Sequence, residues 1–232
     1  YLKTVVNEVH PDIFMVCELT SSNAALNIVD NVLNIEGEQA YKRSVFWDNG
    51  SFNNMLFYNS KLFRLVKQDT LEGNPRFSTV YFLLHKQAYE NGDSVVFKVI
   101  ISHLKAGNGD SEAADRASQV KRIRKYLDEE TDGQNIFYSG DLNVYSSSEE
   151  AFSLLTSKGT NKLYDPAGKL GDWSNNATYA SVHTQSTRTT SFGGGSTGGM
   201  DDRFDWILVT GDVIRGENKL QYLSGTYTAL GQ

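Results

Sequence analysis

Between Arg43 and Ser102 the chain carries a close succession of short β-branched and aromatic runs, and no other feature limits its fold as strongly. Arg43–Trp47, Met55–Tyr58, Leu62–Lys67, Ser78–Leu84 and Val95–Ser102 are short and rich in strand-forming residues. Asn49-Gly50 and Asn91-Gly92-Asp93 separate them with turn chemistry, and the second break predicts a hairpin. Helical spacing flanks this block. Leu2, Val5, Val6 and Val9 mark a first helix, ended by Pro11. The apolar run Ile13–Cys17 reads as a fully buried strand, and Ser21-Ser22-Asn23 offers an N-cap for a helix carrying Leu26, Val29, Val32 and Leu33. A long helix follows from about Asp110 to Glu130, then a strand at Asn135–Tyr138, a helix at Glu149–Leu155 and a last strand at Phe204–Thr210. Strands bunched together with helices on either side suit a two-sheet α/β sandwich better than regular strand–helix alternation does.

A length of 232 residues with 39% hydrophobic residues supports one sizeable core, and three prolines with no long charge block leave no linker. We read a single domain over residues 1–232. A net charge of −6 argues against tight passive binding of nucleic acid, which needs a basic face. It does not argue against a nuclease, because a metal ion can supply positive charge locally. Cys17, the one cysteine, excludes an internal disulfide and reads as a core thiol. No apolar run approaches the roughly 20 residues of a membrane span. No stable membrane insertion is therefore expected, and the sequence points to no particular protein partner. The cysteine-poor, Asn/Ser/Thr/Tyr-rich composition gives only a slight preference for secretion, and the compartment stays unassigned.

Four segments place a polar residue at or inside a predicted strand. Glu18 follows Ile13–Cys17, and His103 follows Val99–Ser102. Asp141 and Asn143 follow Ile136–Gly140, and Asp205 lies within Arg203–Val209. Strand ends are rigid, so groups placed there can converge with the precision that phosphate and metal chemistry needs. Singly, each has a plainer reading: a solvated acid, a core histidine, an Asx-turn. Asp205, inside an apolar strand, reads as a buried carboxylate in need of a partner.

These segments together resemble the endonuclease/exonuclease/phosphatase superfamily. Pro11-Asp12-Ile13 through Glu18 is similar to its strand ending in a metal-binding glutamate, with Cys17 where glutamine is usual. Ser102–Gly107 resembles its His-Leu-Lys segment, and Asp115, Arg116 and Gln119 fit the helix that follows. Gly140-Asp141-Leu142-Asn143 resembles Gly-Asp-Phe-Asn with leucine in third place, and Arg203–Leu208 resembles the late strand whose aspartate supports a histidine. The resemblance implies a four-layer sandwich and in-line hydrolysis of a phosphate ester, nucleic acid by preference, with inversion at phosphorus. It implies Mg²⁺ or Mn²⁺ held by Glu18, water oriented or deprotonated by Asp141, phosphate contacts from Asn143 and His103, and a histidine oriented by Asp205. Arg76, just before the Phe77–Leu84 run, is a candidate phosphate clamp on chemical grounds.

The resemblance also implies an asparagine strand ahead of Tyr1 and a Ser-Asp-His segment after Asp205, and the chain shows neither. We therefore expect a domain truncated at both ends, with weak or no turnover of its own. Two alternatives accompany this reading: a binding domain that keeps the fold without catalysis, and a sphingomyelinase-like lipid phosphodiesterase with Trp173 as a membrane-facing aromatic. His183 reads as a loop residue. Lys121, Arg122, Arg124 and Lys125 read as a solvated helix face, and the glycine-rich stretch Ser191–Gly199 as a mobile loop.

Overall fold

A computed structural model describes residues 1–35, 39–50, 52–74, 76–130, 134–157, 159–190 and 198–230. Most of the glycine-rich stretch, residues 191–197, lies outside the described residues. Helix α1 (Leu2–Val9) ends at His10, whose left-handed backbone (φ 47°) turns the chain into Pro11 and strand β1 (Ile13–Leu19). Helix α2 (Ser22–Ile28) starts where the Ser21 hydroxyl accepts from Ala24 N at 3.1 Å, and a π-turn at Val29–Leu33 extends it. Strands β2 (Tyr41–Arg43) and β3 (Asn53–Asn59) complete a three-stranded sheet in the order β1-β3-β2.

The second sheet holds β4 (Phe63–Leu71), β5 (Ser78–His85), β6 (Val96–His103), β7 (Ile136–Asp141), β8 (Leu163–Tyr164) and β9 (Asp205–Thr210). Its spatial order is β4-β5-β6-β7-β9-β8. Its parallel pair, β6 and β7, is joined by α4 (Asp110–Glu129), the long crossover that parallel strands require. Short helices α3 (Lys86–Glu90), α5 (Glu150–Thr156) and α6 (Gly211–Arg215) complete the set.

Three apolar layers hold the elements in register. Leu56 of β3 packs between the sheets against Tyr81, Leu83, Val99 and Ile101. Beneath α4 and α5 lie Val120, Ile123, Leu127, Phe152, Trp173 and Trp206. Met55 and Phe57, on the opposite face of β3, pack under α1 and α2 with Val6, Ala25 and Leu33. Alternation along β3 thus serves two cores at once. The result is helix, sheet, sheet, helix, the sandwich expected from the sequence.

Several local expectations are corrected. β1 is only partly buried, because it is the edge of its sheet and one side faces a groove. Val45–Trp47 is not strand; pairing with β3 stops at Arg43. The expected β5–β6 hairpin forms, with α3 inserted before its Asn91-Gly92 turn. Trp173 is fully buried and donates to Val144 O at 3.0 Å, so it cannot face a membrane. Arg124 is buried beside Asp128 instead of solvated, while Lys121 and Lys125 pair with Glu150 and Glu129 at the surface.

Candidate active site

The hydrogen-bond ladder of the larger sheet decides where three of the candidate residues go. His103 is the register partner of Asp141 across the β6–β7 pair, and Asp141 is the partner of Asp205 across β7–β9. Adjacent strands lie about 4.8 Å apart, so the three side chains form one row across neighbouring strands. The fourth arrives from the other sheet. β1 bulges between Val16 and Leu19, and Glu18 takes a left-handed backbone (φ 59°) within the bulge. Such a bulge re-aims a side chain. It turns Glu18 toward His103, with Oε1 at 3.7 Å from Nε2, while Asp141 Oδ2 stands 3.6 Å from the same nitrogen. Both separations exceed hydrogen-bond length. The groups share a site without being locked together.

Gly140 makes the row possible. Its φ of 131° belongs to glycine, and a Cβ there would stand 1.9 Å from Ser102 O of the neighbouring strand. Gly140→Ala is expected to lower the melting temperature sharply and reduce soluble yield; a wild-type melting curve would contradict this account of the glycine. Past the strand, Asn143 N donates to Asp141 Oδ1 at 3.0 Å, and Asn143 itself sits at φ 49°. This is an Asx-turn, and it fixes the carboxylate rotamer. The Asn143 side-chain amide donates to Leu104 O at 3.2 Å, leaving its second N–H for a ligand.

The loop behind His103 is clamped by α4. Arg116, almost wholly buried, donates to Lys105 O and Gly107 O at 2.9 and 2.6 Å and forks onto Glu149 at 2.5 and 3.1 Å. Gln119 Oε1 accepts from Lys105 N at 2.9 Å. Arg76 donates to Leu104 O at 3.4 Å, and its guanidinium lies 3.8 Å over the Phe52 ring, which in turn meets the His103 ring edge-on at 5.6 Å.

Electrostatics follow from crowding three acids beside one arginine. Burial, then the charge of Asp205, and more weakly that of Glu18, push Asp141 up to about 7. Asp205 rises to about 6, first through the low-dielectric walls of the cleft and then through Glu18, while a hydrogen bond from Thr184 opposes the shift. Burial and the nearby Arg76 charge hold His103 down to about 4, so its imidazole is neutral at physiological pH. His103 Nδ1 is buried without a partner among the described residues. Nε2 is the ring nitrogen that faces the Glu18 and Asp141 carboxylates. Burial lifts Cys17 to about 12, so its thiol stays protonated close to the acids; it is only partly buried, at the groove beside β1, and not the core thiol expected from the sequence.

The structure thus brings Glu18, Arg76, His103, Asp141, Asn143 and Asp205 together. Asp205, the first residue of β9, keeps one side open to solvent while the cleft walls cover the rest of its carboxylate, so the burial expected from the sequence is partial. His183 lies in a loop, as read from the sequence, but it is buried there, with its ring nitrogens 2.7 and 2.9 Å from Met200 O and Trp173 O. Sequence reasoning missed Phe52 and Thr184. The Thr184 hydroxyl accepts from Phe204 N and Asp205 N at 3.1 and 2.9 Å and so fixes the start of β9. Neither carries a pattern that marks it, since one follows a turn and the other sits in a polar stretch.

Among the described residues no group of three or more His, Cys, Asp or Glu side chains forms a ready cage for a metal. The donor set still suits a hard divalent ion that keeps most of its water and takes one or two carboxylates. Glu18 is 62% exposed at the side chain, and the crowded negative charge would be relieved by a cation.

No curated protein sequence matches the chain. Solved structures share its fold at low identity. The human Nocturnin catalytic domain with bound sulfate superposes with a TM-score of 0.58 at 17% identity, over 91% of this chain and 76% of that one. TDP2 of D. rerio, complexed with a single-strand DNA product, gives 0.61 at 12% over 90% and 74%. The Bacteroides thetaiotaomicron mannosyl-6-phosphatase Bt3783 gives 0.57 at 15% over 90% and 75%. The sequence profile of the Endonuclease/Exonuclease/phosphatase family matches residues 1–226, and with the two-sheet sandwich already established, the chain belongs to that family.

Proposed function

We propose that the chain is the metal-binding and water-activating part of a divalent-metal-dependent phosphodiesterase acting on nucleic acid. The observation that carries this is the His103, Asp141, Asp205 row across three adjacent strands, faced by Glu18 from the opposite sheet. Glu18 would hold Mg²⁺ or Mn²⁺, which when bound supplies positive charge against the phosphate and the leaving oxygen. Asp141, raised toward neutrality and fixed by Asn143 N, is placed to orient an attacking water and take its proton. His103 Nε2–H and the free N–H of Asn143 would donate to phosphate oxygens, and Arg76 would offer its guanidinium fork. Asp205 would orient a histidine, the role the family resemblance implies for the late-strand aspartate.

Nucleic acid is preferred because a relative of the same fold holds a DNA product, while another is a sugar phosphatase. The burial of Trp173 removes the feature that favoured a lipid substrate. The test is hydrolysis of single-stranded DNA and of mannose 6-phosphate in Mg²⁺ or Mn²⁺, with and without EDTA, by this chain and by a form extended with family-type terminal strands. EDTA-sensitive cleavage of DNA by the extended form is expected. EDTA-resistant cleavage would defeat the metal assignment, and complete inactivity would favour a non-catalytic binding domain. Independently of turnover, Mg²⁺ at 100 times its Kd should stabilise the wild-type chain by about 2.7 kcal/mol. Glu18→Gln should lose most of that gain in a melting assay; an undiminished gain would place the ion elsewhere.

A further inference from the structure

The geometry points to Phe52 as a positioning residue that holds Arg76 and His103 in one fixed arrangement for gripping phosphate. This rests on the phosphoesterase reading above and deepens it. Phe52 is 38% exposed beside the cluster, which is a poor place for a large aromatic whose purpose is core packing. Its ring carries the Arg76 guanidinium at 3.8 Å, well inside cation–π range, and meets the His103 ring at 5.6 Å and 72°.

Arg76 has little else to hold it. Among the described residues it makes one long hydrogen bond, 3.4 Å to Leu104 O, and no salt bridge. Glu18 and Asp141 act on it only through space. A guanidinium has five N–H donors, so most of those on Arg76 stay available to an anion, provided the long side chain is kept from wandering. The flat ring does this without consuming a donor. An acid in its place would hold the arginine equally well but compete with the phosphate. His103 gains in parallel, because the ring edge-on to its imidazole limits rotation while Nε2 keeps its aim. Phe52 thereby couples the two phosphate-facing donors that come from different segments.

The test compares Phe52→Leu, which keeps bulk and loses the π face, with Phe52→Tyr, which keeps both. Binding of inorganic phosphate in Mg²⁺ buffer is followed by calorimetry and by the Arg76 Nε–H signal in ¹⁵N NMR, where a stacked ring imposes an upfield shift. Phe52→Leu is expected to weaken phosphate binding about 5–30-fold and abolish the shift, with Phe52→Tyr close to wild type. Arg76→Ala should weaken binding at least as much, and the double variant no further, which is the signature of two residues acting as one. Phosphate affinity within twofold of wild type in Phe52→Leu, or additive losses in the double variant, overturns the inference while leaving the phosphoesterase reading intact. If wild-type protein binds no phosphate and the extended form cleaves no ester, that reading falls and takes this one with it.

Discussion

If Asp141 acts as the proposed general base, Asp141→Asn is expected to lower kcat/KM for phosphodiester cleavage by about 10²–10⁴-fold, the usual worth of such a group. Asparagine keeps an oxygen for the hydrogen bond from Asn143 N, so the turn should survive and the loss should be chemical. The same substitution is expected to stabilise the metal-free protein at pH 8. Asp141 ionises near 3.8 in an unfolded chain and near 7 in the folded one, because burial and the charge of Asp205 penalise its anion. The folded state therefore keeps a proton that the unfolded state has lost. The associated stability is complete below about pH 3.8, declines as pH rises to about 7, and is gone above that. The cost at pH 8 reaches about 4 kcal/mol, less whatever solvent at the outer oxygen screens. Asparagine removes that cost, so the two stabilities should agree near pH 4, draw apart as pH rises to about 7 and stay apart above it. Denaturant melts in EDTA across that range measure it. A variant that is inactive and also less stable at pH 8 would show Asp141 to be a structural acid instead.

Asp165→Ala should produce the largest loss of stability. Arg203 and Asp165 are 0% and 1% exposed at the side chain and form a two-pronged pair at 2.8 and 2.9 Å. Arg203 also stacks over Trp206 at 3.5 Å and donates to Lys169 O at 3.2 Å. Removing the acid leaves a guanidinium buried without a counter-charge, which costs about 3–5 kcal/mol. For a chain of this size that corresponds to a fall in Tm of about 6–20 °C. Lys67 and Asp69 provide the control, since their pair at 3.0 Å is 59% and 53% exposed. Asp69→Ala should move Tm by no more than about 2 °C. Comparable effects from the two substitutions would contradict the claim that burial decides the outcome. Arg203 stands two residues before Asp205, so loosening it should also blur the start of β9.

The sequence made the strands legible where apolar periodicity alone decides them. Ile136–Asp141 and Asp205–Thr210 were found because buried strands leave no other use for such runs. Glu18, His103, Asp141 and Asn143 were legible from the resemblance, and strand ends gave it a physical basis. Asp205 lies beside Asp141 as the strand register dictates, but its burial is only partial, because the first residue of a strand can face solvent on one side. Val45–Trp47 failed as a strand because propensity says nothing about where a pairing partner ends. Phe52, Thr184 and the Arg116–Glu149 fork were illegible for a related reason. Each depends on a contact between residues at least 20 positions apart in the chain. Trp173 misled because a polar neighbourhood in sequence was read as a wet one in space.

Three members of the cluster stand on consecutive strands of one sheet, so backbone hydrogen bonds rule the spacings among them as notches rule a comb. Glu18 belongs to the other sheet and meets them only across a side-chain interface, bolted near this end by the Asn54 amide donating to Ile101 O at 3.1 Å. Shear between the layers would therefore change the reach of Glu18 while leaving the spacings within the row intact. A lineage could retune the one acid from the smaller sheet by repacking that seam without disturbing the distances among His103, Asp141 and Asp205.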